Sequence, residues 1–281
     1  MTYTESDEIR ASVHEFLQER RWLQNLTPRT LSWHAQSLKM FAGCLDNLDK
    51  AKIRIGELRQ RGVAAISVNS YLRSVNAFWR WQKKDWRIPR LKEEQKILAT
   101  FSAAHVAKLI HWKAVGRNQT RVRVAALTAL DTGLRVNELL CLTRQDVELD
   151  NLVLRVKGKG NKHRLVPMSI ELRKLLYRHL ALHKHAIVFC TRDGCKPTQS
   201  NLRRDFKVGC EKLGIVGVRC SFHTLRHTFA VGYLRAGGNL FYLSRILGHT
   251  SVKTTERYLQ SLGVEDLQAV HDKLSLLNPG R

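Results

Sequence analysis

The stretch FHTLRHTFAVGYLRAGGNLFYLSRILGHTSVKTTERY, residues 222–258, decides the fold of the C-terminal part of the chain. Its apolar residues recur at helical spacing, and the glycine pair at 237–238 ends a first helix. Asn239 is placed to cap a second helix that carries His249 to its end. A threonine and a serine then cap a short third helix that carries Tyr258. The stretch therefore predicts three consecutive helices with polar side chains at their ends.

The first of these helices carries three residues that could act on a ligand. His223 and Arg226 are three residues apart and therefore share one face, while Leu225 and Phe229 mark an apolar face. His227 follows His223 by one turn, a spacing at which two histidines can bind a metal. The HExxH form is absent and no carboxylate ligand stands nearby, so we expect no metal site here.

Tyr258 by itself indicates little, because a single tyrosine in a helix is usually a core or surface residue. A phenol attacks a phosphate only where cations and hydrogen bonds surround the reacting group. The interpretation of Tyr258 therefore depends on the other residues that the fold brings to it.

Upstream, the segment TGLRVNELLCL at residues 132–142 places Arg135 beside a glycine turn at the head of a short helix. Glu138 is three positions later on the same face, so its carboxylate can hold the guanidinium flat while the arginine grips a phosphate. Taken alone, such a pair would more often be an ordinary surface ion pair.

A β-hairpin is predicted from LVLRVKGKGNKHRLVPM at residues 152–168, since β-rich arms flank a glycine-rich turn. Lys159 lies in that turn and could donate a proton to a leaving oxygen. Lys157 and Lys162 are competing candidates, and a solvated basic turn is the simpler alternative. The segment AIVF at residues 186–189 predicts a further short strand.

The first third of the chain predicts helices, and a charged, proline-interrupted segment follows it. We predict three helices there, the second beginning at the Thr27-Pro28 cap and running through Phe41 and Leu45. After the linker, a helix begins at Phe101-Ser102 with Val106, Leu109 and Ile110 inward, and another covers about residues 121–130. The predicted domains are a helical core-binding domain at 1–84, a linker at 85–101 and a catalytic domain at 102–281.

The composition points to a polyanionic partner. The chain of 281 residues has 48 basic against 24 acidic residues and a formal net charge of +24, with an excess of basic residues on both sides of the linker. Nucleic acid is the commonest partner of such a chain, although charge alone leaves ribosomal and membrane-surface proteins open. No run of eighteen apolar residues and no signal peptide is present, which predicts a cytoplasmic, nucleoid-associated protein without membrane contact.

The six cysteines are scattered. Only Cys190 and Cys195 are close, and no second pair with zinc-ligand spacing follows them, so we expect reduced thiols.

Taken together, the motifs TGLR with its glutamate, GKGNKHR, HTLRH, LGH and TTERY resemble the tyrosine recombinase (phage integrase-like) family over roughly residues 102–265. The resemblance implies a mainly α (α+β) fold, in which a helical SAM-like core-binding domain precedes a mixed catalytic domain with a small antiparallel β-sheet. A compact, Xer-like or transposon-encoded type fits best, since the extra N-terminal arm-binding domain of larger phage integrases is not evident.

The resemblance also implies a role for each matched residue. Arg135 and Arg226 would bind the non-bridging oxygens of the scissile phosphate, with Glu138 as a supporting residue. Lys159 would protonate the leaving 5'-oxygen. The remaining matched residues are an acid-base partner or phosphate ligand (His223), a hydrogen-bond donor to the phosphate (His249) and the nucleophile that forms a 3'-phosphotyrosyl link (Tyr258).

Because built-in cations would stabilise the phosphate, the resemblance implies no metal and no other cofactor. The implied partner is double-stranded DNA with an inverted-repeat core site. Four protomers would assemble on two such sites by exchanging a C-terminal helix. The tail VEDLQAVHDKLSLL, with Val264, Leu267, Val270 and Leu274 at helical spacing, could be that helix; packing on its own domain is the alternative. His163 departs from the family, because many relatives carry an acidic residue there.

Two other functions remain open at this point. A type IB topoisomerase uses similar chemistry but relaxes supercoils alone; His249 and the chain length favour a recombinase. A DNA-binding accessory protein could keep the scaffold without cutting, although the complete residue set argues against it.

Overall fold

The structure is a computed structural model that describes residues 7–93, 99–158 and 163–274. The chain divides into two compact units, Met1–Gln95 and Lys96–Arg281. Described residues are mainly helical and include one three-stranded antiparallel sheet, which lies in the second unit. This confirms the predicted mainly α fold class with a small antiparallel sheet.

Within residues 7–93 the first unit contains four helices, whereas three were predicted from the sequence. They are α1 (Asp7–Trp22), α2 (Pro28–Lys39), α3 (Leu48–Gln60) and α4 (Ala65–Trp81). The missed helix, α3, buries only Ala51, Ile55 and Leu58, and most of its other residues are charged or polar. The side chain of Asn47 caps it by accepting hydrogen bonds from two backbone N–H groups. Cap and spacing together were a sufficient signal for this helix.

The core of the first unit is rich in aromatic side chains. Phe16, Phe78 and Trp79 are fully buried, and Phe16 meets Phe78 edge to face with ring centroids 5.5 Å apart. Helix α2 begins after the Thr27 cap as predicted, but it ends at Lys39 instead of continuing to Leu45. Phe41 and Leu45, which follow the end of the helix, are nevertheless buried in the core.

The predicted linker begins with residues that pack on the first unit. Ile88 is buried, and its backbone N–H and C=O pair with the side-chain amide of Asn76 at 3.0 and 2.8 Å. Asn69 holds the backbone of Leu91 in the same two-way manner, at 2.8 and 2.9 Å. Each asparagine thus replaces the strand or helix partner that these backbone groups lack.

The second unit is built around a central helix. Its helices are α5 (Ala103–Ile110), α6 (Gly116–Thr132), α7 (Val136–Cys141), α8 (Ile170–Ala181), α9 (Gln199–Lys212), α10 (Phe222–Arg235), α11 (Leu240–Leu247), α12 (Lys253–Glu256) and α13 (Val264–Leu274). Helix α6 packs against α8, α9 and α10, and its buried alanines allow close approach. Ser102 caps α5 as expected, but Ile110 is 48% exposed and was wrongly placed inward.

The predicted hairpin forms two of the three strands of the sheet. Strands β1 (Val147–Glu148), β2 (Val153–Lys157) and β3 (His163–Pro167) pair antiparallel in that order, with Lys157 opposite His163. The residues at the turn, 159–162, lie outside the described residues, and Lys159 is among them. The strand predicted at residues 186–189 is wrong: Ile187 makes an isolated bridge with Thr143, and the chain bends or turns on both sides of it.

None of the helices within residues 7–93, 99–158 and 163–274 has both the length and the apolar character that crossing a bilayer requires.

Candidate active site

Two arginines meet at the C-terminal end of α11. The last carbonyl groups of a helix have no partner within the helix and carry partial negative charge. Arg226 Nη2 donates to the carbonyl oxygen of Leu247 at 2.8 Å, and Arg135 Nη1 donates to the same oxygen at 3.1 Å. Arg135 Nη2 also lies 3.4 Å from the carbonyl oxygen of Gly248. The helix end therefore holds two guanidinium groups side by side.

Arg135 reaches this position from the turn after α6. Gly133 ends α6 with a positive φ of 66°, and a Cβ at this position would collide with the side chains of Phe229 and Leu247. The chain then turns into α7, for which Arg135 is the N-cap. Glycine is thus required both for the turn and for the close approach of α10 and α11.

Glu138 binds Arg135 in the way the motif predicted. Its Oε1 accepts from Arg135 Nη1 at 2.9 Å, and its Oε2 accepts from the backbone N–H of Arg135 at 2.8 Å. Burial of the Glu138 carboxyl opposes ionisation, but hydrogen bonds from Arg164 and Arg135 hold its pKa below the ordinary value. The carboxylate is therefore charged at neutral pH and fixes the arginine from one side.

Arg226 is the most buried cation of the site, with 3% of its surface exposed. Its Nη1 donates to the carbonyl oxygen of Gly133 at 2.7 Å, and its Nη2 lies 2.9 Å from Nε2 of His249. Burial, followed by the nearby charge of Arg135, lowers the pKa of Arg226 to about 10. The guanidinium remains charged, but it lies in surroundings that favour the arrival of an anion.

The contact with Arg226 determines the protonation of His249. A guanidinium only donates hydrogen bonds, so Nε2 of His249 must accept one and carries no proton. The proton is then on Nδ1, which donates to the buried hydroxyl of Thr255 at 2.8 Å. Burial and then the charge of Arg226 lower the pKa of His249 to about 4, which agrees with a neutral imidazole.

Tyr258 lies next to these groups but is buried, with 2% of its surface exposed. Helix α12 has only four residues and ends at Glu256, so the prediction that one helix carries Tyr258 is wrong. The backbone N–H of Tyr258 closes a tight turn on Thr255 at 3.0 Å instead. Its ring packs in a small apolar cluster with Ala230, Val231, Leu234, Leu243 and Leu247.

Three of the other candidate side chains surround the phenol. The ring of His249 is nearly parallel to that of Tyr258, with an interplanar angle of 10° and centroids 6.4 Å apart. The ring of His227 lies 5.6 Å away on another side. Tyr258 also lies close enough to Arg226 that their electrostatic interaction partly counteracts the lowering of the Arg226 pKa. The phenol and the phosphate-binding candidates thus converge, although the phenol faces inward.

His223 and His227 project from α10 beside this cluster, with ring centroids 5.6 Å apart. His223 is exposed, and its pKa is lowered by burial of part of the ring and then by Arg226. His227 is more enclosed, its pKa falls to about 4 mainly through burial, and its Nδ1 has no hydrogen-bond partner within the described residues. In that part of the chain, no three His, Cys, Asp or Glu side chains are grouped so that they could hold a metal ion.

A basic cavity of about 830 Å³ opens beside the arginines. Arg135, Glu138, His163 and His249 contribute to its wall, as does Gly158, the last described residue before Lys159. Two further cations to which the motifs assign no role also line it: Arg164 and Arg245. The sequence did contain a signal for Arg164. It lies two residues before Val166, and residues two apart in a strand share one face, here the inward face of β3.

Comparisons with known proteins indicate the family of the chain. The sequence model of the phage integrase family matches residues 100–263. The chain is 28% identical to tyrosine recombinase XerA of Saccharolobus solfataricus, over 91% of this chain and 84% of XerA. It is 26% identical to tyrosine recombinase XerC of Chlamydia muridarum, over 94% and 88% of the two chains.

Among solved structures, the Tn1549 transposon integrase in complex with circular intermediate DNA superposes with a TM-score of 0.77 at 19% identity. The match covers 94% of this chain and 99% of that one. At this identity, the structural likeness supports the fold. The similarity to recombinases does not favour either alternative function, that of a type IB topoisomerase or that of a DNA-binding accessory protein. Since the family model spans more than half of its length, the chain belongs to the phage integrase family and is a tyrosine recombinase.

Proposed function

We propose that this recombinase cleaves and rejoins duplex DNA at specific sites by forming a 3'-phosphotyrosyl link on Tyr258. The observation that carries the proposal is the convergence of Arg135, Arg226, His249 and Tyr258 at the end of α11. Attack of the phenol oxygen on phosphorus would release a 5'-hydroxyl. The same hydroxyl on a partner strand would reverse the step, since the link conserves the energy of the phosphodiester.

The two arginines would stabilise the charge that develops on the non-bridging oxygens in the transition state. A guanidinium has five N–H donors, so bonds to helix carbonyls leave donors for a phosphate. Because the protein already holds these donors in place, little reorganisation is needed during the reaction. Lys159 would protonate the leaving 5'-oxygen, and His223 would act as acid-base partner or phosphate ligand. No metal is needed in this scheme.

Two changes must precede chemistry in this proposal. Tyr258 has to leave its apolar cluster so that the phenol oxygen can stand in line with the leaving oxygen. His249 has to exchange its contact with Arg226 for the phosphate, and its proton has to move to Nε2 if that atom is to donate. Binding of DNA would supply the free energy for both changes, because the phosphate replaces the lost contacts.

Duplex DNA with an inverted-repeat core site is the proposed partner. The net charge of +24 supports a polyanion, and binding to phosphates should weaken steeply as salt rises. The Tn1549 integrase and the XerH recombinase were each solved in complex with DNA, which supports the same partner here. Such a protein would act on the nucleoid in the cytoplasm, and a host chromosome or a transposon are both suitable substrates.

A homotetramer joined by α13 is the proposed assembly. Val264 and Leu267 are 81% and 57% exposed, so the apolar side of this helix is incompletely covered within one chain. An ion pair, Arg235 Nε to Asp266 Oδ1 at 3.1 Å, joins its first turn to α10. A helix with exposed apolar residues is suited to docking on a second copy, where those residues would be buried. Removal of residues 264–281 should abolish synapsis of two sites while single-site binding persists.

A nicked suicide substrate that contains the recombination site tests the proposed chemistry. The wild-type protein should form a covalent adduct, since the short 5'-hydroxyl fragment diffuses away and prevents religation. Tyr258→Phe should form none while binding the same DNA, and the exposed tyrosine variant Tyr242→Phe is the matched control. An adduct that survives Tyr258→Phe would assign the nucleophile to another residue.

A further inference from the structure

Arg164 is a largely buried cation outside the residue set that the proposed chemistry uses. It lies on β3, and only 15% of its side chain is exposed. Its Nη1 and Nη2 donate to the two carboxylate oxygens of Glu138 at 3.0 and 2.9 Å, and its Nε donates to the carbonyl oxygen of Ile246 at 2.8 Å. All three nitrogen atoms of the guanidinium are therefore engaged, which fixes its plane.

Glu138 consequently lies between two arginines. Each of its oxygens accepts one bond from Arg164 and one from Arg135, at distances from 2.8 to 3.0 Å. With both sides of the carboxylate occupied, neither oxygen can rotate away without breaking two bonds. The orientation of Arg135 is therefore coupled to Arg164 through a rigid anion.

Gly248 shows how closely Arg164 fits against the segment that carries His249. A Cβ on Gly248 would lie 2.9 Å from both Cζ and Nη1 of Arg164. The guanidinium thus rests on the backbone of the helix end, and glycine is required there for this contact as well as for its φ of 65°. Arg164 thereby joins β3 to α7 and α11 at one point.

A purely structural need would be met more simply by an apolar residue. Arg164 shares the inward face of β3 with Val166, where an apolar side chain would bury surface without desolvating a charge. Buried ion pairs contribute little net stability because desolvation offsets their attraction. An arginine whose three nitrogen atoms all donate hydrogen bonds points instead to a requirement that these side chains be held in a fixed orientation.

We propose that Arg164 is a positioning residue that sets the guanidinium of Arg135 on the scissile phosphate through Glu138. The inference rests on the proposed function, since it assumes that Arg135 binds a non-bridging oxygen. Arg164 does not touch the phosphate in this arrangement. A displacement of about 1 Å at a group that binds the reacting centre can slow a reaction about 100-fold. Loss of the contact between Arg164 and Glu138 should therefore lower the cleavage rate more than it lowers the affinity for DNA.

Single-turnover cleavage of the nicked substrate, at saturating protein, is the first measurement. Arg164→Gln should slow adduct formation about 10- to 100-fold with unchanged DNA affinity, and Arg164→Lys should also be slow because an ammonium cannot make the two parallel bonds. Arg155→Gln, on the adjacent strand, is the control and should cleave at the wild-type rate. If Arg164→Gln cleaves normally, the proposal is wrong.

A methylphosphonate at the scissile position separates positioning from a general loss of structure. One diastereomer lacks the oxygen that Arg135 would bind. On that substrate the rates of wild type and Arg164→Gln should become equal, whereas on the other diastereomer the defect should persist. An equal defect on both diastereomers and on the natural phosphate would mean that Arg164 acts only on folding or on another step, and would overturn the proposal.

A double-mutant cycle with Glu138→Gln covers the case in which Arg164→Gln folds poorly. If Arg164 acts through Glu138, Arg164→Lys should add less than a twofold loss to Glu138→Gln; independent, multiplying losses would contradict the inference. Wild-type protein in the same assay reports on the proposed function itself. Absence of a Tyr258 adduct in wild type would refute that function, whereas a normal adduct with unaffected Arg164 variants would refute only the positioning role.

Discussion

Arg135 and Arg226 donate hydrogen bonds to one and the same acceptor, the carbonyl oxygen of Leu247, at 3.1 and 2.8 Å. Two like charges at one helix end repel each other, and the helix carbonyls and Glu138 compensate only part of this repulsion. An incoming phosphate would relieve the rest. The stored repulsion therefore favours the bound, and most of all the transition-state, form of the site.

Substitution of Arg226 by lysine should remove most of the cleavage activity. Lysine keeps the charge, but it cannot donate at once to Gly133, Leu247 and an incoming oxygen. We expect a loss of 100-fold or more in the cleavage rate, about 3 kcal/mol. Suicide-substrate kinetics measure the rate, and a gel shift should show DNA binding within a few-fold of wild type. Cleavage at the wild-type rate would exclude Arg226 from the reaction.

Glu138→Gln should lower both stability and activity. The neutral amide offers one acceptor oxygen where two arginines require two, so a buried charge pair is broken at a cost of about 3 kcal/mol. Thermal unfolding of the second unit should shift to lower temperature. The pKa of Glu138 is lowered, so its contribution in wild type is present at neutral pH and is lost as pH falls through the folded-state value. The free energy of unfolding should therefore fall less steeply with falling pH in Glu138→Gln than in wild type. The same pH dependence in both proteins would contradict the assignment.

Thr255→Val tests the tautomer of His249. Valine preserves the volume but removes the hydroxyl that accepts the Nδ1 proton, so the imidazole loses its orientation. We expect about a tenfold slower cleavage, and Thr255→Ser, which keeps the acceptor, should restore most of the rate. Nitrogen chemical shifts of the His249 ring measure the tautomer directly. A proton on Nε2 in the wild-type protein without DNA would show that the Arg226 contact is differently arranged.

His34 should make the first unit sensitive to acid. Its Nδ1 lies 2.7 Å from the Ser74 hydroxyl in the core, and burial lowers its pKa from 6.5 to about 4. The folded state therefore binds its proton less readily than the unfolded state. The stabilisation is complete above pH 6.5 and is lost as pH falls towards 4, by about 1 to 3 kcal/mol.

Denaturant unfolding followed by tryptophan fluorescence measures this effect, since five of the six tryptophans lie in the first unit. His34→Gln should show a flatter dependence of the unfolding free energy on pH between 6.5 and 4 than wild type. The exposed residue variant His14→Gln serves as the control. Identical pH profiles for wild type and His34→Gln would refute the role of His34.

Several features of the fold follow from short-range rules and were predictable from the residues alone. Caps at Thr27, Ser102 and Asn239, the glycine end of α6 and the pairing of β2 with β3 depend on neighbours within a few positions along the chain. The Arg135 and Glu138 pair belongs to this group, because one helical turn brings the two together.

Errors arose where a segment had little apolar content or needed a distant partner. Helix α3 was missed because it buries only three side chains, and the strand at 186–189 was predicted although only Thr143 lies opposite it. The helix expected to carry Tyr258 ends two residues early, because the side chain of Thr255 is buried against His249 and tight turns follow. For the strand and for the helix at Tyr258, tertiary packing outweighed local preference.

The sequence by itself indicated the family and the candidate residues, through motifs that resemble known recombinases, and it determined the mainly helical fold, since spacing along helices and glycine turns encodes that fold locally. Only the tertiary structure decided that Tyr258 faces an apolar cluster, that His249 carries its proton on Nδ1 and that Arg164 clamps Glu138. The physical reason is that burial and hydrogen-bond partners are set by segments far apart in the chain. Their contacts exist only after the second unit has packed around α6.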